Sequence, residues 1–184
     1  VGGSGKTPHV EYLVNLLHDK LKVAVLSRGY KRKSRGYVLA DKDTTMPMIG
    51  DEPFQMKSKY SDIYVAVDKN RCHGIDRLTT DDATKDVDAI LLDDAYQHRY
   101  VCAGLYILLT DFSRLYVDDF VLPAGRLRES KRGARRAQIV IVTKCPEGLN
   151  EAQRSDIRQR LRLSPSQKLF FTTFRYGERR PVFA

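Results

Sequence analysis

Short apolar runs recur along the chain at KVAVLS (22–27), DIYVAV (62–67), DAILLDD (88–94), GLYILLTD (104–111), QIVIVTK (138–144) and KLFFTTF (168–174). Each is strand-length, rich in β-branched residues and apolar on both faces, the pattern of central strands in a parallel sheet. Helical stretches lie between several of them. Val10, Leu13 and Leu17, with Tyr12 and Leu16 beside them, give the apolar stripe of a helix that runs to about Lys20, and Pro8 suits its first turn. Further helices are predicted near 52–60, 70–80 and 151–162, the last with Asn150 as its cap. Strand and helix alternating in this way predict right-handed crossovers and an α/β fold, a mostly parallel sheet with helices on both faces. Pro and Gly punctuate 47–53 and 123–125 without opening a linker, so the 184 residues are expected to form one domain.

In such a sheet ligands sit beyond the carboxyl ends of the strands. The residues there are Ser27-Arg28-Gly29-Tyr30, Asp68-Lys69-Asn70-Arg71, Asp93-Asp94, Asp111 and Thr143-Lys144. They are rich in charge, as a nucleotide and metal site requires. Cys72, Cys102 and Cys145 are far apart and form no CxxC pair, which speaks against a disulfide framework or a zinc site. No apolar run approaches the ~20 residues of a membrane-spanning helix. The net charge of +9 suggests an anionic partner, whether nucleic acid, a phosphorylated metabolite or an acidic membrane surface, against the plainer reading of a solvated basic face, and the excess is clustered. Arg28, Lys31, Arg32, Lys33 and Arg35 form one block; Arg126, Arg128, Lys131, Arg132, Arg135 and Arg136 form another.

The chain opens on VGGSGKTP. Gly2-Gly3-Ser4-Gly5-Lys6-Thr7 is the second half of a Walker A loop, whose glycines turn backbone N–H groups toward a phosphate at a helix N-terminus. Lys6 would reach the β- and γ-phosphates, and the Thr7 hydroxyl would ligate Mg²⁺. The fold is therefore expected to be P-loop NTPase-like with its first strand missing. Loss of that strand would leave neighbouring backbone unpaired and the fold marginal. Asp93-Asp94 ends an apolar run as a Walker B pair does, with Mg²⁺ as the ion served. Gly50-Asp51-Glu52-Pro53 sets two carboxylates at a helix start, where Asp51 is either a cap or a general base for an incoming hydroxyl. Gln97, His98 and Arg99 follow the acidic pair, and Arg126 and Arg128 sit in a loop suited to phosphate. Thr143-Lys144-Cys145-Pro146 is like the guanine-reading TKxD turn, but Pro146 stands where the Asp belongs, which favours ATP over GTP.

Together VGGSGKTP, SRGY (27–30), GDEP (50–53), DDAYQH (93–98) and LPAGRLRE (122–129) resemble, in order and approximate spacing, tetraacyldisaccharide 4'-kinase, the lipid A 4'-kinase of Gram-negative bacteria. The resemblance covers nearly the whole chain. It implies transfer of the γ-phosphate of Mg·ATP to the 4'-hydroxyl of an acylated glucosamine disaccharide 1-phosphate, giving lipid IVA. It implies a peripheral enzyme on the cytoplasmic face of the inner membrane, so that the basic blocks meet an anionic membrane surface and no nucleic acid is expected. By motif, Gly2 to Thr7 hold the triphosphate, and Thr7, Asp93 and Asp94 serve the metal. Lys6, Asp51 and Asp94 are the catalytic candidates, with Asp51 matching the proposed base. Arg28, Arg71, His98, Arg126 and Arg128 become candidate phosphate or sugar contacts. It further implies that residues 1–184 are a nucleotide-binding kinase domain, cut before the first strand and, near FRYGERRPVFA, before a smaller C-terminal domain. Such a piece would identify the enzyme without turning over alone. The alternative is a P-loop ATPase or GTPase switch without a lipid acceptor, which gives GDEP, DDAYQH and LPAGRLRE no common role.

Overall fold

Every apolar run forms a strand in the computed structural model, which describes residues 3–175. In chain order the elements are α1 (Lys6–Leu17), β1 (Val23–Ser27), β2 (Val38–Leu39), α2 (Met46–Ile49), α3 (Asp51–Lys59), β3 (Tyr64–Val67), α4 (Arg71–Thr80), β4 (Ala89–Leu92), β5 (Ile107–Asp111), β6 (Ile139–Thr143), α5 (Glu151–Leu161) and β7 (Lys168–Phe171). In place of one continuous sheet the strands form two, ordered β2-β3-β1-β4 and β5-β6-β7. The chain divides with them into two compact units. One is Lys6–Ala103; the other joins the loop up to Gly5 with the chain from Gly104 onward.

In the first unit β1 pairs in parallel with both β3 and β4, and β1 is buried along its whole length. Its alternate residues serve two cores, as the period of two along a strand requires. Val23 and Val25, with Val65 and Val67 of β3, pack with Val14, Ile49, Met56 and Ile63 on the side of α1 and α3. Ala24 and Leu26, with Ala66, pack with Leu78 of α4 on the other. Helices on both faces are thus observed. The sequence pattern missed β2, a two-residue strand antiparallel to β3, and the single turn α2. Both are too short for any periodicity to reveal. Along α1, Val14 is the fully buried residue while Tyr12 and Leu16 are exposed, so the buried stripe is narrower than the sequence suggests.

In the second unit β6 is central, paired in parallel with β5 and β7. Contrary to expectation β7 is not apolar on both faces: Lys168 and Phe170 are exposed, and Leu169 and Phe171 are half-buried. α5 starts at the predicted Asn150, whose side chain accepts from the Gln153 N–H while Gln153 reaches back to the Asn150 N–H, a capping box. No helix among the described residues is long and apolar enough to cross a membrane.

Candidate active site

The parallel register brings the ends of β1, β3 and β4 to one edge. The Asp68 N–H donates to the Ser27 carbonyl at 3.0 Å, and the Asp93 N–H to the Leu26 carbonyl at 3.1 Å. Asp68, Asp93 and Arg28 therefore leave the sheet together. Gly3 and Gly5 hold φ of +77° and +80°, the left-handed backbone a phosphate loop needs, and α1 begins at Lys6. Gly2 lies outside the described residues. In the second unit the Thr143 hydroxyl at the end of β6 donates to the Ser4 carbonyl at 3.1 Å, tying the loop's main chain to that strand.

Lys6 Nζ lies 3.5 Å from Asp94 Oδ1. The Thr7 hydroxyl donates to Glu52 Oε1 at 3.0 Å. Loop lysine, loop threonine, the β4 acidic pair and the start of α3 therefore meet within one unit. Asp93 is 9 % exposed, and its Oδ1 is buried without a hydrogen-bond partner. Burial raises its carboxyl pKa first, the Glu52 and Asp94 charges raise it further, and Lys6 and Arg71 pull the other way. Asp94 adopts φ +48°, a strained conformation for a non-glycine residue that turns the chain directly after β4. No group of three His, Cys, Asp or Glu side chains among the described residues is arranged as a metal cage. An orphaned buried carboxylate oxygen beside two more carboxylates still suits a hard cation such as Mg²⁺, which takes one or two protein carboxylates and completes its shell with phosphate and water.

Asp51 is the first residue of α3 and is exposed; the cap position belongs to Gly50, not to Asp51. Gly50 has φ +94°, and a Cβ there would stand 2.9 Å from the Tyr30 carbonyl. The SRGY and GDEP motifs, distant in sequence, thus pack backbone against backbone. Arg32 reinforces the same loop by donating to the Ser34 hydroxyl and to the Val67 and Gly36 carbonyls.

The candidate substrate residues separate. Arg28 is exposed at the site edge. Arg71, expected among the phosphate or sugar contacts, is only 1 % exposed; it donates to the Asp68 carbonyl and, at 3.2 Å, to that of Asp93. These bonds tie it to the chain just beyond β3 and β4, and its Nε is buried without a hydrogen-bond partner. Burial, and then the Arg71 and Arg28 charges, hold the His98 pKa below its ordinary value, so the imidazole is neutral at pH 7. Arg126 and Arg128 are exposed on a loop of the second unit. In that unit Lys144, at φ +58°, pairs with Asp111 at 2.7 Å. Burial pushes the Asp111 acid up, but bonds from Lys144 and Ser113 outweigh it and hold the pKa below the ordinary value. Sequence reasoning passed over Glu52 in favour of its neighbour Asp51. Only the packing of α3 against α1 shows that Glu52 is the residue that meets the phosphate-loop threonine.

The family model of tetraacyldisaccharide-1-P 4'-kinase matches residues 1–180. The chain belongs to that family. A tetraacyldisaccharide 4'-kinase of Bacteroides fragilis is 60 % identical over all of this chain and 48 % of its own length. Another of Flavobacterium johnsoniae is 57 % identical over 96 % of this chain and 51 % of its own. The chain thus spans about half the length of the curated relatives it matches. A crystal structure of LpxK from Aquifex aeolicus in complex with ATP superimposes with a TM-score of 0.68 at 26 % identity, covering 95 % of this chain and 68 % of the other. That likeness carries the expected α/β, P-loop kinase fold.

Proposed function

We propose that the protein carrying this chain transfers the γ-phosphate of ATP, with Mg²⁺, to the 4'-hydroxyl of an acylated glucosamine disaccharide 1-phosphate, giving lipid IVA. The observation that carries this reading is the convergence of Lys6, Thr7, Glu52 and Asp94 beside the exposed Asp51, in a member of the 4'-kinase family. With nucleotide bound, Lys6, now beside Asp94, would hold the β- and γ-phosphate oxygens, and the Thr7 hydroxyl, now on Glu52, would be a ligand for the metal. When bound, Mg²⁺ neutralises charge on the phosphates; Thr7, Asp93 and Asp94 are the residues that would hold it. Asp51 accepts the proton of the acceptor hydroxyl. It stands at a helix start, directly after the turn fixed by Gly50. His98, kept neutral, and Arg28 line the same edge for phosphate or sugar. Arg126 and Arg128, on the second unit, are cations suited to an anionic acceptor. We assign the reaction to the cytoplasmic face of the inner membrane, where a lipid acceptor resides.

A nucleotide-operated switch would hydrolyse ATP without an acceptor. The discriminating experiment follows ATP turnover by the protein at its natural length, with and without detergent-dispersed acceptor. Turnover that depends on the acceptor supports the kinase; equal turnover in both rejects it.

A further inference from the structure

In the second unit, Phe120, Val121 and Leu122 stand in a row and are 64 %, 43 % and 58 % exposed. They are held there by a built loop. The buried Asp119 carboxylate accepts from the Phe120 N–H at 2.8 Å, the Arg126 N–H at 3.1 Å and the Arg114 guanidinium at 2.9 Å. The Leu122 N–H donates to the Leu127 carbonyl at 3.0 Å, and the Leu127 N–H to that of Phe120 at 2.9 Å. Gly125 closes the turn so tightly that a Cβ would stand 2.3 Å from the Phe120 carbonyl. Leu127 faces inward and is buried, while the three apolar residues before the turn face water. A loop this constrained does not fold its apolar side chains back. It presents them already ordered, which lowers the entropic cost of binding something.

The surroundings say what that something is. Residues 114–136 carry seven cationic side chains against three carboxylates. Each of the three is already engaged: Asp119 with Arg114, Asp118 with Arg160 and Glu129 with Arg136. Arg126, Arg128, Lys131, Arg132 and Arg135 are exposed. Lys131 Nζ sits 5.2 Å from the Phe120 ring centroid. Contiguous apolar side chains with cations around them match an interface with hydrocarbon beneath and negative charge above. Duplex nucleic acid offers the charge but no apolar layer.

We propose that the loop from Asp119 to Leu127 is an interfacial wedge that seats the protein on an anionic lipid bilayer. Phe120, Val121 and Leu122 enter the boundary between headgroups and acyl chains, while Lys131, Arg132 and Arg135 meet headgroup phosphates. The inference rests on the proposed function in one respect, that a lipid acceptor requires the protein to work at a bilayer.

The test uses the protein at its natural length and vesicles of phosphatidylcholine with or without about 30 % phosphatidylglycerol. These 184 residues contain no tryptophan, so Phe120→Trp adds a reporter to this part of the protein, read as its difference from the unsubstituted protein. Its emission is expected to shift to the blue on anionic vesicles and to be quenched by lipids brominated on the acyl chain. Flotation of Phe120→Ser/Val121→Ser is expected to show partitioning weakened about tenfold, with unchanged Tm and unchanged transfer to detergent-dispersed acceptor. Lys131→Glu/Arg132→Glu should also weaken partitioning and flatten its dependence on salt. Unshifted emission from the Phe120→Trp reporter on vesicles that carry the protein overturns the wedge, as does undiminished flotation of the Ser variant. Loss of detergent-phase transfer in that variant would make Phe120 and Val121 part of the acceptor site and overturn it too. If the unsubstituted protein transfers no phosphate while the reporter still inserts, the kinase reading fails and the wedge stands.

Discussion

Asp93 places a carboxylate in a buried position with one oxygen unpartnered and two further acids beside it. Without a cation that arrangement costs stability, since buried charge is tolerated only when paired. Asp93→Asn is therefore expected to raise the Tm of the nucleotide-free protein while lowering phosphoryl transfer about a hundredfold. A lowered Tm would show that the carboxylate is satisfied as it stands. Gly50→Ala meets both an unfavourable φ and the Tyr30 carbonyl at 2.9 Å, and should destabilise by about 2 kcal/mol in denaturant titration. The sequence exposed the loop residues Lys6 and Thr7 and the acidic pair through local motifs. It could not reveal that Arg71 is spent on main-chain carbonyls, or that Glu52 meets Thr7. Those facts depend on which helices pack together, and the two partners of the second pair lie 45 residues apart.

Among the elements, the long apolar strands and amphipathic helices were legible because burial on one or both faces imposes a period. β2 and α2 were not, being a bridge and a turn set by their neighbours. β4 and β5 each read as central strands but stand at sheet edges. Amide hydrogen exchange should accordingly protect β1 and β6, paired on both sides, more than β4 and β5. Equal protection of β1 and β4 would contradict this strand order. The end of α1 is tied to the start of β3 by His18, whose Nδ1 lies 2.8 Å from Asp62 Oδ2. The Asp62 bond raises the His18 pKa above 6.5 against the pull of burial, and the same bond holds Asp62 below 3.8. The contribution is thus fully present between those two ordinary values. It fades as pH rises through the elevated His18 pKa, and as pH falls through the depressed one of Asp62. His18→Gln should lower Tm more at about pH 5.5 than at about pH 9. A loss independent of pH would assign His18 a packing role only, through its edge contact with Tyr60.

At the scale of the whole molecule, net charge of +9 and two basic blocks point to an anionic partner, and five ordered motifs carry the family resemblance. Neither composition nor periodicity could have chosen between a kinase and a switch; the motifs favour the kinase, four of them at a strand end or a helix start and LPAGRLRE in a loop of the second unit. We propose that Asp51 activates a lipid hydroxyl toward a phosphate held by Lys6 and Thr7. The most direct test incubates the protein at its natural length with γ-labelled Mg·ATP and tetraacyldisaccharide 1-phosphate in detergent micelles, beside Asp51→Ala, and locates the label on the lipid. Label is expected at the 4' position, reduced at least about a hundredfold in the variant. Label released only as inorganic phosphate, or transfer undiminished in Asp51→Ala, would contradict it.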